Sequence, residues 1–217
     1  PWFSFARRSA DNERVLVGAY EAIAVAVDKQ SSITPAAEWL LNNFHIVEEQ
    51  IRDIRSLLPS SFFRELPALD SGPLIGLPRI YGIAWAFTAH TDSHFDSGLL
   101  HRFVVAYQRV QPLTLAEIWA LPIMLRIVMI ENLRRLAARI VESIDGRDLA
   151  DRFADEMLGL GASGLSNEPN WPFPVDFPLP RASAAQLYQR LRYADAVAAP
   201  ALLALTERLA REGTNPE

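Results

Sequence analysis

The chain has no cysteine. That excludes disulfides and thiolate metal sites, and it fits a reducing compartment. Basic residues are not in excess: 21 Lys and Arg stand against 26 Asp and Glu, a formal net charge of −5. Nonspecific binding of nucleic acid needs the opposite balance, so nucleic acid is excluded as a partner. No stretch offers the roughly 20 predominantly apolar residues of a membrane-spanning helix. The nearest approach, residues 113–130, contains Glu117, Pro122 and Arg126. The opening PWFSFARR places its positive charge after the apolar residues, the reverse of a secretory signal. The phosphate-binding loop, the G-x-S-x-G elbow and the H-E-x-x-H metal motif are all missing. GLGASG at 159–164 has glycines but neither a preceding strand nor a lysine, and reads as a turn. No catalytic residue, cofactor or metal ligand is therefore assigned. The chain starts without Met and ends in a polar tail, so a piece of a longer protein is expected.

Half of the residues are apolar, enough for a real core, and their spacing is helical. The pattern predicts a first helix over 9–30, capped by Ser9 or Asp11. A second begins at Thr34-Pro35, where Thr is a good N-cap and Pro fits the first helical position. It is expected to run to about Leu57, with Ala37, Leu41, Phe44, Val47, Ile51, Ile54 and Leu58 facing the core. A Pro/Gly-punctuated connection follows over 60–78, with one helical turn at Phe62 to Leu66. Helices are then expected from Pro78 to His90 and, capped by Asp96, to Arg109. Thr114 with Glu117 forms a capping box. The helix that it starts should bend at Pro122 and continue to Ser143, with a separate short helix over 145–159.

Residues 159–182 alternate prolines with Trp171, Phe173 and Phe177, which predicts an extended strap rather than a helix. Two helices, 183–193 and 198–211, end the chain. The expected fold is all-α: one multi-helix domain over 1–217 with a Pro-rich extended strap. It comprises an N-terminal helix in 1–33, a main core in 34–158, the strap in 159–182 and C-terminal helices in 183–217.

Four groups of residues carry chemistry. Glu38, Asn42, His45, Glu49 and Arg52 step by fours and threes along the second helix. They form either a polar groove wall for a hydroxyl-rich ligand or a solvated face with weak ion pairs, the plainer reading. His90-Thr-Asp-Ser-His-Phe-Asp96 packs imidazoles beside carboxylates, as a metal site would. A helix end, a turn and a cap explain the same residues without one. Arg126 lies between Leu125 and Ile127 and either is buried against Glu48, Glu49 or Glu131, the favoured reading since an unpaired buried charge is costly, or snorkels to the surface. Glu131 is also placed to pair with Arg135 one turn on.

Several stretches together resemble the N-terminal part of the bacterial cyclic β-1,2-glucan synthases. They are residues 37–52 (AEWLLNNFHIVEEQIR), 62–67 (FFRELP), 78–85 (PRIYGIAW), 90–96 (HTDSHFD), 107–112 (YQRVQP) within 103–113, 115–121 (LAEIWAL), 125–136 (LRIVMIENLRRL), 186–192 (QLYQRLR) and 205–210 (LTERLA). The resemblance implies a very large inner-membrane protein. In that family a glycosyltransferase module builds a protein-linked β-1,2-glucan from UDP-glucose, and a phosphorylase-like module trims it. Both modules and the membrane helices lie C-terminal to this region, so no catalytic residue carries over. What the resemblance implies here is a non-catalytic accessory domain, cytoplasmic at the inner membrane, whose partners are the remaining modules. The alternative is a carbohydrate-binding module that touches the growing glucan. For that role the candidates are Trp39, Asn42, His45 and Glu49, with Arg64, Arg79 and Tyr81 from nearby segments.

Overall fold

A computed structural model describes residues 2–57, 65–157, 181–193 and 198–211. Among the described residues there are eight helices and no strand. They are α1 (Trp2–Asp28), α2 (Pro35–Asn42), α3 (Phe44–Leu57), α4 (Arg79–His90), α5 (Ser97–Gln108), α6 (Leu115–Met157), α7 (Arg181–Arg192) and α8 (Ala199–Arg211). The chain divides into two compact units, Pro1–Arg139 and Ile140–Glu217, and α6 supplies helix to both.

In the first unit α1 packs on α2 and α3. It buries Leu16, Ala19, Ile23 and Ala26, a stripe stepping by three and four. The helix starts at Trp2, well before the caps expected at Ser9 and Asp11; those residues lie inside it. It ends at Gln30, which takes a left-handed φ of 58°. There the Ser31 N–H reaches the Ala26 carbonyl at 2.9 Å and the Gln30 N–H reaches Val27 at 2.9 Å, the paired bonds of a Schellman end.

Thr34 caps α2, accepting the Ala37 N–H at 3.2 Å, and Pro35 follows it. The expected single helix is broken, however. Asn43 leaves helical geometry at φ −113°, ψ 14°, and its side-chain amide donates to the Trp39 carbonyl at 2.8 Å. An Asn amide that competes for a backbone carbonyl offers the chain a way out of the helix. The break sets the core register to Ala37, Leu40, Phe44, Val47, Ile51 and Ile54, all buried. Leu40 replaces the expected Leu41, which is half-buried. Leu58 lies outside the described residues, as do Phe62, Phe63 and Arg64.

Before α4 the chain folds back on itself. Leu69 donates to the Leu77 carbonyl and Gly76 to Leu69, both at 2.8 Å, with Gly72 and Gly76 at φ near 80° where a side chain would strain the turn. Helix α4 buries Ile80, Tyr81, Ile83, Ala84, Phe87 and Thr88. Asp96 caps α5 as expected, accepting the Leu99 N–H at 2.5 Å. Helix α5 has no fully buried residue; Phe103 lies 5.6 Å from the Phe87 ring.

Helix α6 opens on the expected capping box. The Thr114 N–H donates to Glu117 at 2.9 Å and the Glu117 N–H donates to the Thr114 hydroxyl at 3.2 Å. It does not stop at Ser143. It holds helix through Pro122 and on to Met157, 43 residues in all. The separate helix expected over 145–159 is its last third.

The second unit is a small helical cluster built on alanine and leucine. Ala150 and Ala154 of α6 share a core with Ala184, Leu187 and Leu191 of α7 and Ala198, Ala201, Leu205 and Leu209 around α8. The strap expected over 159–182 lies outside the described residues as far as 180; Arg181 and Ala182 already begin α7. At the junction of α6 and α7 a Cβ on Gly146 would come within 2.9 Å of the Ser183 hydroxyl. That hydroxyl is buried and, among the described residues, has no hydrogen-bond partner. Gly146→Ala alone should lower stability by up to about 2 kcal/mol, since overpacking costs roughly 1–3 kcal/mol against a gain of about 1 kcal/mol in helix propensity. Adding Ser183→Ala should leave a protein more stable than the starting one, because the clash and the unpaired hydroxyl both go. Thermal melting of the two variants decides it; an additive loss in the double variant would refute the contact.

Candidate functional site

Two junctions in the first unit, one buried and one partly buried, bring charged side chains of separate helices together. At the first, Arg79 at the start of α4 forks onto Glu117 of α6, with Nε to Oε1 at 2.9 Å and Nη2 to Oε2 at 2.7 Å. The two side chains are 11% and 0% exposed. Arg79 also donates to the Pro112 carbonyl at 3.1 Å. Burial by itself would raise the Glu117 carboxyl, but the hydrogen bonds from Arg79 and Thr114 outweigh it and hold it below the usual carboxylate range. The same bond holds the Arg79 guanidinium above its ordinary value. At the second junction the Tyr81 hydroxyl donates to Glu131 at 2.5 Å, and Arg8 of α1 reaches Glu131 at 3.1 Å and the Tyr81 oxygen at 3.2 Å. Burial, then the Glu131 carboxylate, push the Tyr81 phenol well above its ordinary range.

These pairings correct two expectations. Glu131 faces Arg8 and Tyr81 rather than Arg135, and Arg135 donates to Asn132 instead. Arg126 is not buried; it meets Asp53 at 3.5 Å, with both side chains 43% exposed, and not Glu48, Glu49 or Glu131. In the stretch 90–96, Asp92 and Ser93 form a left-handed turn and the Asp96 carboxylate is engaged as a cap. Among the described residues no group of three or more His, Asp or Glu is placed to hold a metal ion.

Four of the candidate ligand residues lie on α2 and α3, and two on α4. Trp39, Asn42, His45 and Glu49 are exposed, but the break at Asn43 divides them between α2 and α3. Arg79 and Tyr81 are turned into the two junctions. Arg64 lies outside the described residues.

What sequence reasoning missed is the outer face of α6. Leu115, Ile118, Trp119, Pro122, Arg126 and Met129 recur at helical spacing, and all six are exposed, Trp119 at 71% and Leu115 at 65%. Over fourteen steps of 1.5 Å the stripe extends roughly 21 Å. Ile118, Pro122, Arg126 and Met129 also form one wall of a groove of about 480 Å³. Phe87 and Thr88 of α4, His94 and Phe95 of the turn, Leu100 of α5 and Gln50 of α3 complete it. Among the described residues no carboxylate lines this groove, and Arg126 is the one permanently charged residue that does. A signal did exist in the sequence: Glu117 and Glu131 occupy the same stripe as Met124 and Val128, opposite the face that carries Trp119.

The first unit thus engages Glu117 and Glu131 at its own junctions and leaves an apolar strip of α6 exposed. Over almost its whole length the chain is similar to one curated protein. It is 38% identical over 221 residues to the cyclic beta-(1,2)-glucan synthase NdvB of Rhizobium meliloti (strain 1021). The alignment takes in 99% of this chain and 8% of that protein. No family model matches the chain. Among the described residues no helix is long and apolar enough to cross a membrane.

Proposed function

We propose that this chain is a non-catalytic helical accessory region of a cyclic β-1,2-glucan synthase, placed on the cytoplasmic side of the inner membrane, where it supports assembly of the glycosyltransferase machinery. The observation that carries this reading is the outer face of α6 between Leu115 and Met129. Glu117 and Glu131 turn inward onto arginines beside the buried Met124 and Val128, while Leu115, Ile118, Trp119 and Met129 stand exposed on the opposite side. An exposed apolar stripe of this kind marks a surface that another part of a protein covers. The similarity to NdvB supports a glucan synthase as the protein to which that other part belongs.

The isolated chain is expected to turn over neither UDP-glucose nor linear β-1,2-glucan. Replacing the matched region of NdvB by this chain should preserve glucan synthesis, and Trp119→Glu with Leu115→Glu in that chimaera should depress it. Turnover by the isolated chain, or undiminished synthesis by the doubly substituted chimaera, refutes the reading.

The exposed Trp39 beside Asn42, His45 and Glu49 favours a second reading, contact with the growing glucan, in which the indole stacks on a sugar face. Titration of the chain with linear β-1,2-gluco-oligosaccharides tests it through Trp fluorescence. Binding that His45→Ala with Glu49→Ala removes at unchanged melting temperature supports this reading; no binding by the unaltered chain ends it.

A further inference from the structure

We infer that the α6 stripe and its groove receive an amphipathic helix with an acidic residue in its apolar face, from the part of the synthase outside this chain. This rests on the accessory reading above and names the partner's chemistry. Leu115, Ile118, Trp119, Pro122, Arg126 and Met129 fall at i, i+3, i+4, i+7, i+11 and i+14, within a strip about 100° wide. A row of that length matches about four turns of a facing helix, with anchors of that helix at three- and four-residue spacing. The groove beside it gives those anchors depth.

Charge decides what the facing helix must carry. Arg126 stands in the middle of the apolar strip, and its pair with Asp53 is long and open to solvent. Covering the strip with apolar side chains alone would strip water from a guanidinium held by one loose partner. A carboxylate on the facing helix would answer it with a forked, charge-assisted pair. A second copy docked through the same strip lacks that group, because among the described residues neither the strip nor the groove carries a carboxylate. Against the same strip of a second copy, Arg126 would meet apolar side chains or another arginine.

The test uses the whole chain and two designed 18-residue helical peptides. Both carry leucines at i, i+3, i+4 and i+7; one has a single Glu in that face, the other a Lys. Trp119 reports binding by a blue shift of its emission, and Trp119→Phe identifies the signal. The Glu peptide should bind at least about tenfold more tightly than the Lys peptide, roughly 1.4 kcal/mol. Arg126→Glu should reverse that order, and Met129→Asp should abolish binding of both. These side chains are all exposed, so the variants keep the fold, which circular dichroism checks. Failure of both peptides to bind, equal affinity for the two, no reversal by Arg126→Glu, or sedimentation showing the stripe occupied by a second copy would each overturn the inference. The accessory reading stands or falls separately, on turnover and on the chimaera.

Discussion

Replacing Glu117 by glutamine should lower the stability of the protein by about 3–5 kcal/mol, the usual cost of leaving one member of a buried ion pair without its partner. Arg79 is only 11% exposed, so water cannot take over the lost bonds. Urea unfolding followed by circular dichroism measures the change, and a loss below about 1 kcal/mol would show that the pair is dispensable. The double change Arg79→Met with Glu117→Leu should recover most of the loss, since it removes both charges from the interior. A pH dependence follows from the same geometry. The folded Glu117 carboxyl is held below its unfolded value. Its contribution is therefore complete above the ordinary carboxylate range and disappears as pH falls through the lower, folded value. In Glu117→Gln that segment of the acid unfolding profile should flatten.

Phe44→Ala should cost about 3–5 kcal/mol, as expected for an aromatic ring removed from a core. Phe44 is buried at the start of α3 and stacks on Tyr20 of α1, with ring centroids 4.5 Å apart and planes at 27°. Its removal leaves a cavity where α1, α2 and α3 meet, and chemical denaturation of the variant reads the cost. A loss below about 1 kcal/mol would place the ring outside the core and undo the register of α3.

What the sequence revealed, and what it hid, divides by the range of the interaction. Thr34-Pro35, Asp96 and Thr114 with Glu117 act within three residues, and each cap forms as the pattern predicts. The break at Asn43 is local too, but two adjacent asparagines inside an apolar spacing gave no sign of which would compete with the backbone. The outcome moved one core position from Leu41 to Leu40. The junctions lay beyond local reading. Glu117 finds Arg79 at a separation of 38 residues and Glu131 finds Arg8 at 123. A local reading spends Glu117 on its cap and Glu131 on Arg135, and so leaves the direction of the α6 faces open. Two of the candidate ligand residues are engaged elsewhere for a related reason. Arg79 and Tyr81 have the chemistry of ligand contacts, but that same chemistry satisfies buried carboxylates.

Glu117 has two tasks with a single carboxylate. It completes the cap at the start of α6 and receives the fork from the start of α4. The ends of helices ordinarily fray on their own, exchanging their first amide protons with water long before the rest of a protein opens. Here that freedom is removed. Unwinding the first turn of α6 moves the carboxylate that holds Arg79, and loss of Arg79 removes a charged partner from the carboxylate that completes the cap. The opening turns of the two helices are thus tied into one exchange unit, whose amides should trade hydrogen for deuterium at a common, slow rate.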